Sequence, residues 1–156
     1  MNETVIRPAR DDELPTVAEL RWRWLLEREG TPVTGHDEFV RLLTTWAREH
    51  AASHRCLVAV RENTIIGMAW LAIIARVPNP RSPERASGDM QCVYVVPAHR
   101  DSGTGAQLMS TVRALGRELG LERVTVHSSE RAVPAYVRNG FTPDPRLLHA
   151  WIEEPH

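Results

Sequence analysis

Apolar residues recur along this chain with two periods, and the switches between them mark the elements. Residues 4–7 alternate briefly and predict a first strand, stopped by Pro8. Asp11 is a good helix N-cap and Pro15 is tolerated in a first turn. Behind them Leu14, Val17, Leu20, Trp24 and Leu25 fall at helical spacing, until Gly30 and Pro32 end the run. Phe39, Leu42, Leu43 and Trp46 give one face of a second helix over about residues 37–52. Residues 56–60 and 64–74 read as two strands of a hairpin, joined by a tight turn at Glu62 and Asn63. A loop with Pro78, Pro80 and Pro83 follows, and residues 90–96 then predict a buried strand.

The best-defined helix covers residues 107–119. Leu108, Val112, Leu115 and Leu119 lie at i, i+4, i+7 and i+11, and Gly120 caps it. Residues 124–127 predict another strand, and residues 134–138 a short helix ended by Gly140. Phe141 enters a closing strand, and residues 147–152 form a last one. Strands interleaved with helices, with one hairpin, make an α/β protein with a mixed sheet. The strands at 90–96 and 124–127 are separated by a helix, so they are expected to be parallel and joined by a right-handed crossover.

A chain of 156 residues is expected to be a single domain with a substantial core. Its 19 Lys and Arg against 20 Asp and Glu are interspersed, and the net charge of −1 gives no footprint for nucleic acid or a membrane face. Residues 1–10 lack an apolar signal core, and no apolar run approaches the roughly 20 residues that span a bilayer. The expected location is the cytoplasm. Cys56 and Cys92 sit in apolar runs, form no C-x-x-C pair and make no metal set with the scattered histidines. Reduced core thiols and no metal are expected.

The chemistry-bearing stretch is the turn Arg100, Asp101, Ser102, Gly103, Thr104, Gly105 and Ala106, between an apolar strand and a strong helix. Two glycines leave backbone N–H groups bare, and the helix adds its own unpaired N–H groups and the positive end of its dipole. Arg100 adds a permanent cation. Such a turn suits a pyrophosphate. The spacing is not that of the dinucleotide fingerprint, and no Lys-Ser/Thr follows to make a Walker loop.

The run Val93-Tyr94-Val95-Val96-Pro97-Ala98-His99-Arg100-Asp101-Ser102-Gly103-Thr104-Gly105 resembles the acetyl-CoA motif of the GNAT superfamily of N-acetyltransferases, Q/R-x-x-G-x-G/A after a strand. Ala132, Tyr136, Gly140 and Phe141 resemble the family's A-x-x-x-Y-x-x-x-G-F, and Val126-His127-Ser128-Ser129 fits a common bacterial version. The order of elements also matches, so the resemblance covers nearly the whole chain. It implies a mostly antiparallel mixed sheet with a parallel pair around the cofactor, flanked by about four helices. It implies acetyl-CoA as co-substrate. Backbone groups of Val93, Tyr94 and Val95 would pair with the pantetheine arm, and amides from Asp101 to Ala106 would hold the pyrophosphate. Ser129 stands where many relatives carry Asn, near the pantetheine. Asp101 departs from the family pattern, and its side chain is expected to point to solvent.

Tyr136 is the expected general acid. A phenol, with an ordinary pKa near ~10, is protonated at neutral pH and can yield its proton to a CoA thiolate. The competing reading is a core tyrosine packed on Phe141. Asp89 is the expected base, acting through a water, at the offset of the glutamate that serves as base in the histone-acetylating branch. Its competing reading is a strand-edge aspartate. Glu27 and Glu29, at the end of the first helix, are the runners-up. Trp22 and Trp24, two apart, cannot share a helix face. Trp24 and Trp70 could wall an acceptor pocket, whereas core packing or a homodimer contact is the expectation for the five tryptophans as a set. The function expected is acetyl transfer from acetyl-CoA to a small-molecule or peptide primary amine, by direct attack in a ternary complex. The alternatives are a non-catalytic acyl-CoA-binding or sensing domain, and an enzyme using a longer acyl group with a slot near Met90 and Cys92.

Overall fold

The computed structural model describes residues 3–28 and 30–153. Its centre is a five-stranded sheet in the order β1-β2-β3-β4-β5. The strands are β1 (Val5–Pro8), β2 (His54–Arg61), β3 (Thr64–Ala75), β4 (Ala86–Val95) and β5 (Val124–Val126). Neighbours β1 to β4 pair antiparallel, and β4 with β5 parallel. The α-helices are α1 (Leu14–Glu27), α2 (His36–Glu49), α3 (Thr104–Glu118) and α4 (Val133–Arg138). The mixed sheet with its parallel pair is the architecture expected from the alternation of periods.

Alternation along β3 sorts the helices onto two faces. A Cβ placed on Gly67 would meet Leu108 of α3 at 3.3 Å, whereas Trp70, three residues on, has its ring centroid 6.0 Å from that of Trp46 in α2. The α1–α2 pair thus covers one face and α3 the other. Leu71, Leu108 and Val112 are fully buried on the α3 side, and Val17 and Met68 on the other. Gly116 lets α3 approach β5 closely, since a Cβ there would lie 2.9 Å from the Val124 side chain.

Several boundaries differ from the sequence expectation. β1 does stop at Pro8, and it includes that residue, which an edge strand tolerates because its missing N–H faces outward. Asp11 does not cap α1. Residues Asp11–Glu13 form a 3-10 turn, and the Asp11 carboxylate pairs with Arg48 of α2 at 2.8 Å. The turn at Glu62 and Asn63 has both residues left-handed, at φ 51° and 61°, the conformation of a type I′ hairpin reached without Asn-Gly. β4 begins at Ala86 and α3 at Thr104, each earlier than the pattern predicts. The closing strands expected from Phe141 and at residues 147–152 are not formed. That segment is irregular, and Leu148 and Ile152 are 87% and 94% exposed, with no facing layer to bury them.

Trp22 and Trp24 point to different surroundings, as their spacing requires. Trp22 packs on His36 and Phe39 of α2, and Trp24 stacks on Tyr94 of β4. Trp70 is buried against Trp46 and so does not wall a pocket with Trp24. No helix among the described residues is long and apolar enough to cross a membrane.

Candidate active site

β4 and β5 pair only through Gly88↔Val124, Asp89↔Thr125 and Met90↔Val126. β5 then ends while β4 runs on. At the same point β4 bulges: Met68 faces Tyr94 but Trp70 faces Gln91, so Ala69 alone opposes both Cys92 and Val93. Cys92 takes the left-handed φ of 54° that the bulge demands. The two strands part here, leaving a notch with one backbone wall.

Peptide geometry fixes which groups face that notch. Val96 donates its N–H to Ile66 O at 2.8 Å, across β3. The preceding carbonyl, on Val95, therefore points the other way, into the notch, and the Val95 N–H shares that edge. Tyr94 lies between and turns its backbone to Met68 in β3. Of the three residues expected to pair with a pantetheine arm, Val95 turns its N–H and carbonyl to the notch and Val93 its carbonyl, opposite the Tyr94 N–H of the same peptide, whereas Tyr94 turns to β3. Backbone groups alternate between the two edges of a strand, so three consecutive residues cannot all face one side.

The Arg100–Ala106 turn closes the lower end. Gly103 precedes α3 at φ 88°, and no side chain caps that helix. The first intrahelical bond is from Gln107 N–H to Gly103 O at 3.0 Å, so the N–H groups of Thr104, Gly105 and Ala106 have no partner within the helix. A Cβ on Gly105 would meet nothing within 4 Å. Internal packing does not demand glycine there, and its absence of side chain keeps the amides open to an anion. Ser102 turns its hydroxyl inward, to His99 O and to Thr104 Oγ1 at 3.1 Å. Asp101 is exposed, as expected, and left-handed at φ 63°. These bare amides at a helix start fit a pyrophosphate.

Arg100 does something the sequence did not suggest. Its Nε donates to Val95 O at 2.8 Å, and a terminal nitrogen pairs with Glu27 Oε2 at 2.8 Å. Its guanidinium also lies 5.4 Å from the Tyr94 ring centroid. The cation expected at the anion turn thus faces the Val95 wall and α1. Glu27 receives a second bond from the Tyr94 hydroxyl. Burial pushes the Glu27 carboxyl up, but the bonds from Arg100 and Tyr94 outweigh it and hold it below the usual carboxylate range. Burial and the adjacent Glu27 push the Tyr94 phenol up to about 12. Glu27 was legible as a candidate base. Its link to Arg100, 73 residues away, was not.

Asp89 sits well inside β4 rather than at its start. One carboxylate oxygen accepts from Thr125 Oγ1 and the other from Gln91 Nε2, both at 2.9 Å. Asp89 faces the same side as Ala72, its partner in β3, which is the α1–α2 side. Tyr136 lies on the other side. It packs edge-on to Phe141, with centroids 5.5 Å apart, and borders a cavity of about 630 Å³ between α3, β5 and α4. Burial raises its pKa. No hydrogen bond joins Asp89 to Tyr136 among the described residues; the sheet holds them on opposite faces of the notch. That cavity reaches Ser128 but not the α3 N-terminus. Ser129 is exposed and starts the 3-10 turn Glu130–Ala132. Glu29, the other runner-up base, lies outside the described residues.

Comparison with known proteins agrees with this fold. Residues 16–141 match the acetyltransferase (GNAT) family. An amino-acid acetyltransferase from Edwardsiella ictaluri is 36% identical over 61 residues, 39% of this chain and 14% of that protein. A glucosamine 6-phosphate N-acetyltransferase from Trypanosoma brucei brucei is 32% identical over 84 residues, 54% of this chain and 55% of that one. This chain therefore spans a small part of the first relative and about half of the second. The crystal structure of a predicted acetyltransferase with acetyl-CoA from Clostridium acetobutylicum superposes with a TM-score of 0.78 over 96% of this chain and 97% of that one, at 18% identity. A split β4–β5 pair above a bare helix start, set in this element order and matched along most of its length, places the chain in the GNAT family of acetyltransferases.

Proposed function

We propose that residues 1–156 form one N-acetyltransferase domain that moves the acetyl group of acetyl-CoA to a primary amine of a small molecule. The observation that carries this reading is the parting of β4 and β5 beside the uncapped start of α3, with Tyr136 on one face and carboxylates on the other. The relatives named above support it, because an amino acid and an amino sugar phosphate are both small amines.

The amides of Thr104, Gly105 and Ala106 hold the pyrophosphate, and Val93 and Val95 align the pantetheine arm by their notch-facing backbone groups. The Val95 N–H polarises the thioester carbonyl, a preorganised dipole where negative charge develops. The amine nitrogen bonds to the carbonyl carbon, the C–S bond breaks, and its electron pair leaves on sulfur. Tyr136 gives the thiolate its proton. Its raised pKa keeps the phenol protonated throughout the neutral range. Asp89, oriented by Thr125 and Gln91, takes the amine proton through a water.

Release of free CoA thiol is the direct test. With acetyl-CoA and a panel of amines, thiol release that depends on the amine is expected. Tyr136→Phe should lower kcat by roughly 10²-fold or more while acetyl-CoA affinity stays within about twofold. CoA binding without thiol release for any amine would instead make this an acyl-CoA-binding or sensing domain. Unchanged turnover in Tyr136→Phe would remove Tyr136 from the reaction.

A further inference from the structure

We propose that Arg21 and Arg28 form a recognition site for an anionic group, a carboxylate or a phosphate, carried by the acceptor amine. This rests on the acetyl-transfer reading above and narrows it to a substrate class.

Arg21, Trp24 and Arg28 recur at i, i+3 and i+7, so they share one face of α1 and its C-terminal cap. Trp24 stacks on Tyr94, with ring centroids 6.0 Å apart and planes at 25°. The Arg21 guanidinium lies 4.8 Å from the Trp24 centroid, and that of Arg28 lies 5.1 Å away. Two cations are thus seated on one aromatic ring that leans against the cofactor-side strand. Among the described residues, neither Arg21 nor Arg28 takes part in a salt bridge. Arg100 differs, because Glu27 already partners it. Among the described residues Glu27 is the carboxylate bonded within this group, and Arg23 adds a further positive charge near it. Among the described residues the charge left over is positive.

The position is as telling as the charge. Tyr94 immediately precedes Val95, whose N–H faces the notch. Through Trp24 stacked on Tyr94, the Arg21 guanidinium is tied to the stretch of β4 just beyond the bulge. Tyr136 serves the leaving sulfur from the α3 side. The amine therefore approaches from the α1 side and passes these arginines. A guanidinium lying on an aromatic ring keeps its N–H edge for a planar, bidentate partner, and carboxylate and phosphate both fit that fork. A polycationic acceptor would be repelled at the same place.

Matched acceptor pairs test the proposal: L-α-amino acids against their α-carboxamides, and glucosamine 6-phosphate against glucosamine. The wild-type chain should favour the anionic member of one pair by at least tenfold in kcat/KM, and the pair that shows it tells carboxylate from phosphate. In Arg21→Gln/Arg28→Gln that preference should fall by roughly ten- to a hundredfold, the range of a charged hydrogen bond. KM for acetyl-CoA should move less than twofold, and Arg21→Lys/Arg28→Lys should recover part of the preference. No preference in the wild type, or equal slowing of both members in the variant, overturns the proposal. If no amine is acetylated, the acetyl-transfer reading fails on its own. Calorimetric binding of the same pairs to the CoA-loaded protein then decides the arginine site: selective binding of the anionic member, lost in the double variant, supports it, and unselective binding refutes it.

Discussion

Asp101 is costly twice over where it stands. Its carboxylate sits at the edge of a turn built for an anion and repels whatever anion binds there, and its backbone is left-handed at φ 63°. A non-glycine residue in that region carries roughly 1 kcal/mol or more of strain. Asp101→Gly removes both penalties. It should bind CoA at least as tightly as the parent, measured by calorimetry, and should not lower the melting temperature. Weaker binding would mean that the Asp101 side chain itself helps to shape the turn. Arg100 carries the complementary lesson. Its type and position were evident from the motif, but its orientation was not, because Glu27 and Val95 O reach it only in the folded chain.

At the scale of elements, the entry of the chain into α1 is held by one carboxylate. Glu13 accepts two bonds from Arg7 of β1, at 2.7 and 2.8 Å, and a third from the Arg10 N–H at 2.7 Å. The Arg7 bonds, opposed by burial and helped by Arg10, hold the Glu13 carboxyl down at about 2. A folded pKa below the unfolded one gives stability that is present above the unfolded value and lost as pH falls toward the folded one. Glu13→Gln should therefore cost roughly 1–2 kcal/mol at pH 7, with the difference from wild type closing between about pH 5 and pH 2. Denaturant melts across that range check it, and a pH-independent difference would show that the ion pair is not its source. Local rules predicted an N-cap at Asp11 here. The tie to Arg7 won instead, because a bidentate bond between strand and helix also fixes how β1 leads into α1.

Across the whole molecule, β3 is the strand on which both helical layers rest. Leu71 is fully buried on its α3 side. Leu71→Ala should cost about 2–5 kcal/mol, the range for a truncated core leucine, and lower Tm by roughly 5–15 °C. A smaller loss would mean that the layer between β3 and α3 collapses to refill the space. The irregular residues 141–153 make the opposite point. Their apolar spacing predicted strands, but a strand forms only against a partner edge, and β5 offers three residues.

By itself the sequence determined the helical and strand periods, the parallel pair implied by the crossover helix, and the bare glycine turn. These depend on contacts within a few residues or on one crossover rule. Tyr136, Asp89 and Glu27 were also legible as candidates, because their residue types and spacing carry the chemistry. Only the tertiary structure decided which backbone edge faces the notch, that Arg100 turns to Glu27, and that Trp24 rather than Trp70 leans on Tyr94 of β4. It also decided that Asp89 and Tyr136 stand on opposite faces of the sheet. Each of those facts is set by strand register, by the bulge at Cys92 or by a pair of side chains far apart in the chain, and none of these is a local property of the residues involved.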